Sequence, residues 1–596
     1  MKLIKGFLFL LILVFAIPAL AQAPAPKHVI LVIQENRTPD NLFQDQILVL
    51  HGADLLKPYP LATSPNAGCS KATGGLTYLY PYPNLDACFN PNHDYGPAPT
   101  QMNPGGGFEG AYDSAKWDGA CTVPVMYDPA TCIPPTPYAN YTYVQGPDNR
   151  PGGILEPYFQ IAENYSFSNY MFETNQGPSF DAHQFLFSGT SAPAVSPKAG
   201  FPWFASENAV NGGLDYHYAG CVSDPGTTVE DIKSGDSGAP IFPLEKNYFQ
   251  PPYRNANAGY PCYDHPSLAD LLDAPPKVTW KYYIQSPQED NSIWTAPNAL
   301  NAICPFDPVA DNLGVCNSPG YVGNGDWTKV DDNLGDILSD IQNCNLPQVS
   351  WVVPDGQWSD HPGTIGSDGG PSWVAAIVNA VGATKNCGGS QAGLASFDNT
   401  TILITWDDWG GWYDHVAPYL PSGLTYPNEG YYYPNNPAFS PDGNWYAYGF
   451  RVPLLVVSAY TPAGYVSGAN LSKNPPYVHD FGSILGYIEW AFGLSPYNSP
   501  QSGCGIAGAI DPINGCDYPF ADYFALDGQY ECSGGACGSS WGGYPLSDFF
   551  TLGTPRSFTP ITGAKYPPSC FQPANVNNSN CFPGYPSDPD NEDSSD

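Results

Sequence analysis

The stretch HVILVIQENRTPDNLF, residues 28–43, decides how the chain is read. Five of the six residues from 29 to 34 are aliphatic and four are β-branched, the composition of a strand buried on both faces. The apolar run stops abruptly at Glu35-Asn36-Arg37. In an open α/β sheet, ligands bind at the carboxyl ends of strands, so Glu35 and Asn36 either bind a ligand there or begin the next turn.

Other runs of strand length lie at 278–284, 349–353, 401–406 and 453–458. Helical patterns lie at 181–187, 266–272, 372–381 and 481–492, the third closed by Gly382 and the fourth by Gly493. Strands alternating with helices predict an α/β fold with a mainly parallel sheet and helices on both faces. Residues 53–150 and 205–262 are rich in Pro, Gly, Asn, Tyr and Cys and read as long insertions stapled by disulfides into a catalytic domain spanning 22–495. Residues 496–596 read as a Cys-, Tyr- and Gly-rich extension with an acidic end, DPDNEDSSD, expected to be disordered.

Lys2 and Lys5, the apolar run 6–17 and Ala19-Leu20-Ala21 have the order of a secretory signal peptide over residues 1–21, which predicts a secreted or periplasmic protein. All 16 cysteines follow it. Spacings such as Cys121/Cys132, Cys304/Cys316, Cys504/Cys516, Cys532/Cys537 and Cys570/Cys581 suggest short local bridges, and no C-x-x-C occurs, so disulfides are expected rather than structural zinc. No later segment reaches the roughly 20 apolar residues of a spanning helix. A net charge of −36 argues against nucleic acid as a partner.

Three further stretches carry candidate chemistry. In TILITWDDWGGWYDHV, residues 401–416, a second strand ends in acids, Asp407 and Asp408. Adjacent carboxylates repel unless a cation or proton lies between them. Glu35, Asn36, Asp407 and Asp408 together would make an all-oxygen site for one divalent cation, and a solvated turn is the bland alternative. In TNQGPSFDAHQFLFSGTS, residues 174–191, Ser179 opens a helix where free N–H groups favour phosphate; it is otherwise a plain helix cap. His183, one turn on, shares a face with Ser179 or packs the helix. In VSWVVPDGQWSDHPG, residues 349–363, a strand gives way to a loop bearing His361, a candidate to bind phosphate oxygens or protonate a leaving group. His93, in NPNHDYGP, is a weaker candidate. No stretch fits the nucleophile elbow, the P-loop or the dinucleotide-binding fingerprint, each of which needs its motif between a strand and a helix.

Taken in order, VIQENRT, GPSFDAHQFLFSGTS, SDHP, GPSWVAAIVNAVG, DDWGGWYDH, RVPLLVVSAY and SILGYIEWAFGL resemble the phosphoesterase family that includes bacterial phospholipases C and secreted acid phosphatases. That family is related in core fold to the alkaline phosphatase and sulfatase group. The resemblance implies that Glu35, Asn36, Asp407 and Asp408 bind the metal and that Ser179 is the nucleophile. It implies that His361 contacts the phosphoryl group or leaving oxygen, and more loosely that His93, which precedes GGGFEG, belongs to the site. Oxygen ligands favour Ca²⁺, Mg²⁺ or Mn²⁺, whereas the alkaline phosphatase analogy points to zinc. The expected activity is hydrolysis of phosphate esters, small or phospholipid, through a phosphoseryl intermediate. The tail lacks the β-rich domains of the phospholipase branch, which favours an acid phosphatase-like enzyme. The alternatives are a phospholipase C and a non-catalytic protein that binds phosphate or a surface.

Overall fold

The structure, a computed structural model, describes residues 23–56, 80–82, 85, 142–144, 153–174, 179–189, 191, 202–205, 219–223, 231–233, 261–263, 267–288, 292–304, 316, 326–362, 368–384, 396–412, 414–416, 449–469, 478–494, 544–572 and 581. Its centre is an eight-stranded sheet. In chain order the strands are β1 (His28–Gln34), β2 (Ser166–Ser168), β3 (Trp280–Tyr283), β4 (Val330–Asp331), β5 (Val349–Val352), β6 (Thr400–Trp406), β7 (Leu454–Val457) and β8 (Tyr465–Ser467). Across the sheet they run β8-β2-β7-β6-β1-β5-β3-β4. Only β7 is antiparallel to its neighbours, β6 and β2; the remaining pairings are parallel. Every residue of β1 and β6 is buried, as their apolar runs require.

Four helices matter for the site: α1 (Glu156–Asn164), α2 (Ser179–Ser188), α3 (Gly370–Ala383) and α4 (Phe481–Phe492). Successive strand residues point to opposite faces, so register fixes which helix each side chain meets. Leu31 pairs with both Trp351 and Leu403, and these three share a face. There Phe187 of α2 packs on Trp351 at 4.9 Å between ring centroids, and Tyr487 of α4 hydrogen-bonds Thr401. Trp406, three residues beyond Leu403, points the other way and meets Tyr158 of α1 at 5.2 Å. The helices therefore cover both faces, as the sequence predicts.

The α4 helix ends where expected, with Gly493 left-handed at φ 63°. The α3 helix does not: it runs through Gly382 to Ala383. The glycine serves close packing instead, because a Cβ at 382 would fall on the ring of Phe558. Phe558 belongs to a C-terminal stretch, 544–572, that lies against the core, with Leu546, Phe549 and Phe571 buried.

Cys304–Cys316 and Cys570–Cys581 are bonded as their spacing suggests, and Cys221–Cys262 closes a longer loop. The pairs 121/132, 504/516 and 532/537, the signal segment and the acidic end lie outside the described residues. Among the described residues no helix is long and apolar enough to cross a membrane.

Candidate active site

Register continues past the ends of β1 and β6. Gln34 pairs with Trp406, so the next residues, Glu35 and Asp407, stand side by side. By the same alternation they point to the face that α2 covers. The backbone locks them together: Asp407 N–H donates to Gln34 O at 2.9 Å and Arg37 N–H to Asp408 O at 3.0 Å. Asn36 N–H donates to Asp407 Oδ1 at 2.9 Å.

This close approach needs unusual backbone. Asn36 is left-handed at φ 57°, and Gly410 at φ 60°. A Cβ at 410 would fall on the carbonyl oxygen of Asn36. Gly410→Ala is expected to destabilise the fold by about 2 kcal/mol or more, from left-handed strain plus overpacking. Denaturant unfolding measures this, and an unchanged midpoint would count against the packing described.

The amino end of α2 meets the two acidic loops. Ser179 Oγ lies 3.3 Å from Glu35 Oε2 and 3.2 Å from Asp408 Oδ2. His183 Nε2 lies 3.1 Å from Glu35 Oε1 and 3.8 Å from Asp407 Oδ2. Ser179, His183, Glu35, Asn36, Asp407 and Asp408 are all fully buried. The sequence left His183 open between sharing the Ser179 face and packing the helix; the structure sets it in the acidic cluster.

Glu35, His183 and Asp407 offer ligand atoms within 4.8 Å of one another, a group able to hold a metal ion. The surroundings fit one. Asp407 Oδ2 is buried and accepts no hydrogen bond among the described residues. Arg37, the nearest cation in sequence, turns elsewhere: it donates to Asp360 O at 2.8 Å, Asn41 Oδ1 at 3.1 Å and Leu85 O at 2.6 Å. Buried carboxylates without a paired cation are costly. Another buried acid, Glu173, was not singled out from sequence, although it stands six residues before Ser179. Burial, with Asp408 and then Asp181 beside it, pushes its carboxyl well above the usual range.

His361 follows the turn Gly356–Trp358, beyond β5. Its ring packs on Trp294 at 5.6 Å, and Nδ1 lies 2.7 Å from Pro362 O. A carbonyl only accepts, so Nδ1 is the nitrogen that donates here. The neighbouring Asp360 accepts from Tyr158 at 2.8 Å and from Trp406 Nε1 at 2.9 Å, and burial raises its carboxyl to about 6. The loop of His361 thus docks on the end of β6, and Arg37 joins it to the Glu35 loop. His93 lies outside the described residues.

A second group of ligand-type residues, Asp40, Asp414 and His415, already has its cation. Arg451 forks onto Asp414 at 2.8 and 2.9 Å, and its Nη2 lies 3.7 Å from Asp40.

A profile of the Phosphoesterase family matches residues 26–495. The chain belongs to the phosphoesterase family. This phosphoesterase is 26% identical over 273 residues to non-hemolytic phospholipase C of Pseudomonas aeruginosa, covering 41% of this chain and 33% of that protein. It is 32% identical over 165 residues to phospholipase C B of Mycobacterium tuberculosis, covering 27% of each chain. The matches thus span no more than 33% of the length of these relatives. Among solved structures, Ps i-CgsB in complex with k-i-k-neocarrahexaose aligns at a TM-score of 0.25 and 10% identity over 57% of this chain and 67% of that chain, too distant to inform the site. The acidic cluster and α2 lie inside the segment matched by the family profile, and the stretch 544–572 lies outside it.

Proposed function

We propose that the phosphoesterase hydrolyses phosphoric esters with Ser179 as nucleophile. One observation carries the reading: the Ser179 hydroxyl stands at the amino end of α2 within 3.3 Å of Glu35 and 3.2 Å of Asp408. Either carboxylate is within reach of its proton. A divalent cation held by Glu35, Asp407, Asp408 and His183, with Asn36 beside them, would supply Lewis-acid stabilisation of charge on the hydroxyl and phosphoryl oxygens. One imidazole among carboxylates widens the all-oxygen set expected from sequence toward zinc as well as Mn²⁺ and Mg²⁺.

Ser179 Oγ loses its proton to a neighbouring carboxylate and attacks phosphorus in line with the departing oxygen. The first N–H groups of α2 face the anionic phosphoryl group. The ester bond breaks, His361 Nε2 gives a proton to the leaving alcohol, and the phosphoryl group remains on Ser179. Water then cleaves the phosphoseryl ester and regenerates the hydroxyl.

Two substrate classes divide the reading. The resemblance to secreted acid phosphatases favours monoesters. The relatives are phospholipases C, which favours phospholipid diesters. A panel of 4-nitrophenyl phosphate, its diester analogue and phosphatidylcholine vesicles separates them. Chelation is expected to abolish turnover of whichever is accepted, and adding back Zn²⁺, Mn²⁺, Mg²⁺ or Ca²⁺ one at a time to restore it. Full activity after chelation, with no metal found by elemental analysis, would remove the cation from the reading.

A further inference from the structure

We infer that the C-terminal stretch 544–572 is a brace that positions His361, and that Phe571 is its main positioning residue. This rests on the role given to His361 above. The brace lies beyond the segment 26–495 that the family profile covers.

The brace makes contacts on both sequence sides of His361, at Trp358 and at Asp368, with residues 363–367 outside the described residues. On the near side, Trp358 closes the turn three residues before His361, and its carbonyl accepts from Gln34 Nε2 at 3.2 Å. Its indole packs on Trp373 of α3 at 5.0 Å and edge-on to Phe571 at 5.1 Å. Phe571 also meets Trp373 at 5.2 Å. The three rings are buried, and removing the phenyl leaves the indole of Trp358 without one wall. On the far side, Asp368 pairs with Lys565 and accepts from the Tyr566 hydroxyl. Tyr566 N–H also donates to Ser372 Oγ at 3.1 Å.

The brace is itself fastened to the helices beneath. Asn379 of α3 accepts from Ile561 N–H at 2.9 Å and donates to Ile561 O at 2.8 Å. Thr562 N–H donates to Gln160 of α1 at 2.8 Å. Phe558 fills the gap at Gly382, and Arg556 lies over the Tyr165 ring at 5.0 Å. Asp548 accepts from Ser467 Oγ at 2.6 Å and Tyr465 at 2.9 Å. A loop held this way presents its imidazole in one place. A displacement of about 1 Å at a reacting group can cost about 100-fold in rate.

The test uses leaving groups of different quality in the full-length protein. With Phe571→Ala, kcat on an alkyl phosphate, whose alkoxide needs a proton, is expected to fall about 10- to 100-fold. On 4-nitrophenyl phosphate, whose phenolate leaves unaided, it should fall less than about 3-fold, with Mn²⁺ affinity unchanged, because the acidic cluster is untouched. Phe571→Leu should restore most of the loss. The double variant Lys565→Met, Tyr566→Phe loosens the far grip without opening the core and should show the same selectivity more weakly. Equal losses on both substrates in these variants, or none on either, would overturn the brace. His361→Ala separates the two ideas. If it shows the selective loss and the brace variants do not, the brace alone fails. If it shows none, the brace fails together with the role given to His361.

Discussion

Replacing Ser179 by alanine is expected to lower kcat on 4-nitrophenyl phosphate by about 1000-fold or more while the protein still folds and still binds a divalent cation. Removing a nucleophile that works as one unit with its activating groups leaves only the residual catalysis of binding and electrostatics, and such losses reach about 10⁶-fold. The fold should tolerate the change because Ser179 has two charged acceptors but fills little space, and α2 is held by Phe187 on Trp351 and by the Trp351 Nε1 donation to Leu186 O at 3.0 Å. Glu35 and Asp408 lose a donor, and the carboxylates proposed to hold the cation are unchanged. Rapid quench with labelled substrate gives a second readout: a phosphorylated protein in the wild type and none in the variant. Turnover within about 3-fold of wild type would take Ser179 out of the mechanism, because no nucleophilic role is that small.

The second large effect is on stability. Arg451 is fully buried and joins segments distant in sequence. It forks onto Asp414 and donates to Asp54 O at 2.9 Å and Asn169 O at 2.8 Å. Removing one partner of a buried ion pair strands the other charge, at a cost of about 3–5 kcal/mol. Arg451→Met is therefore expected to lose that much in denaturant unfolding, and a loss below about 1 kcal/mol would show that the network does not hold the loop. The same network predicts a pH window. Burial opposes the charged His415 imidazole, but its bonds to Asp40 and Asp54, at 2.7 and 3.1 Å, outweigh this and raise it from 6.5 to about 10. Its contribution is complete below the unfolded value of 6.5 and is lost as pH climbs through about 10. The His415 bond holds Asp54 at about 2, from 3.8. That contribution is complete above 3.8 and is lost as pH falls through about 2. The midpoint should therefore be highest between 3.8 and 6.5, decline as pH rises toward about 10 or falls toward about 2, and His415→Gln should flatten the alkaline limb.

Where the sequence was legible, strong local patterning made it so. The seven-residue strands β1 and β6 each carry a run of aliphatic residues at the centre, and each runs straight into carboxylates, Glu35 and Asp407-Asp408, that mark its carboxyl end. From those ends the convergence of Glu35, Asn36, Asp407 and Asp408 follows once the strands are neighbours, as the register makes them, whereas Ser179 reaches them only through the docking of α2. The strands β2, β4 and β8, of three, two and three residues, are too short for period-two alternation to stand out. They owe their place to tertiary pairing. His183 was ambiguous because a helical face does not reveal what lies opposite it. Glu173 and the Arg451 network were hidden for a related reason: a lone acid or arginine reads as surface until its partners, far off in sequence, are known. The brace was unreadable because its residues show no periodicity; they match pockets made by α1 and α3 rather than a pattern of their own.

The register of β1 with β6 also sets when the protein can acquire a cation. Asn36 and Asp407, hydrogen-bonded neighbours, are 371 positions apart, so neither an unfolded chain nor a fragment lacking either end of that span contains the acidic cradle. It exists only after the middle of the sheet has closed. An ion held there would be captured late, by a molecule already folded. Were the chain to cross a membrane extended, it would travel empty and load from whatever ions bathe its destination.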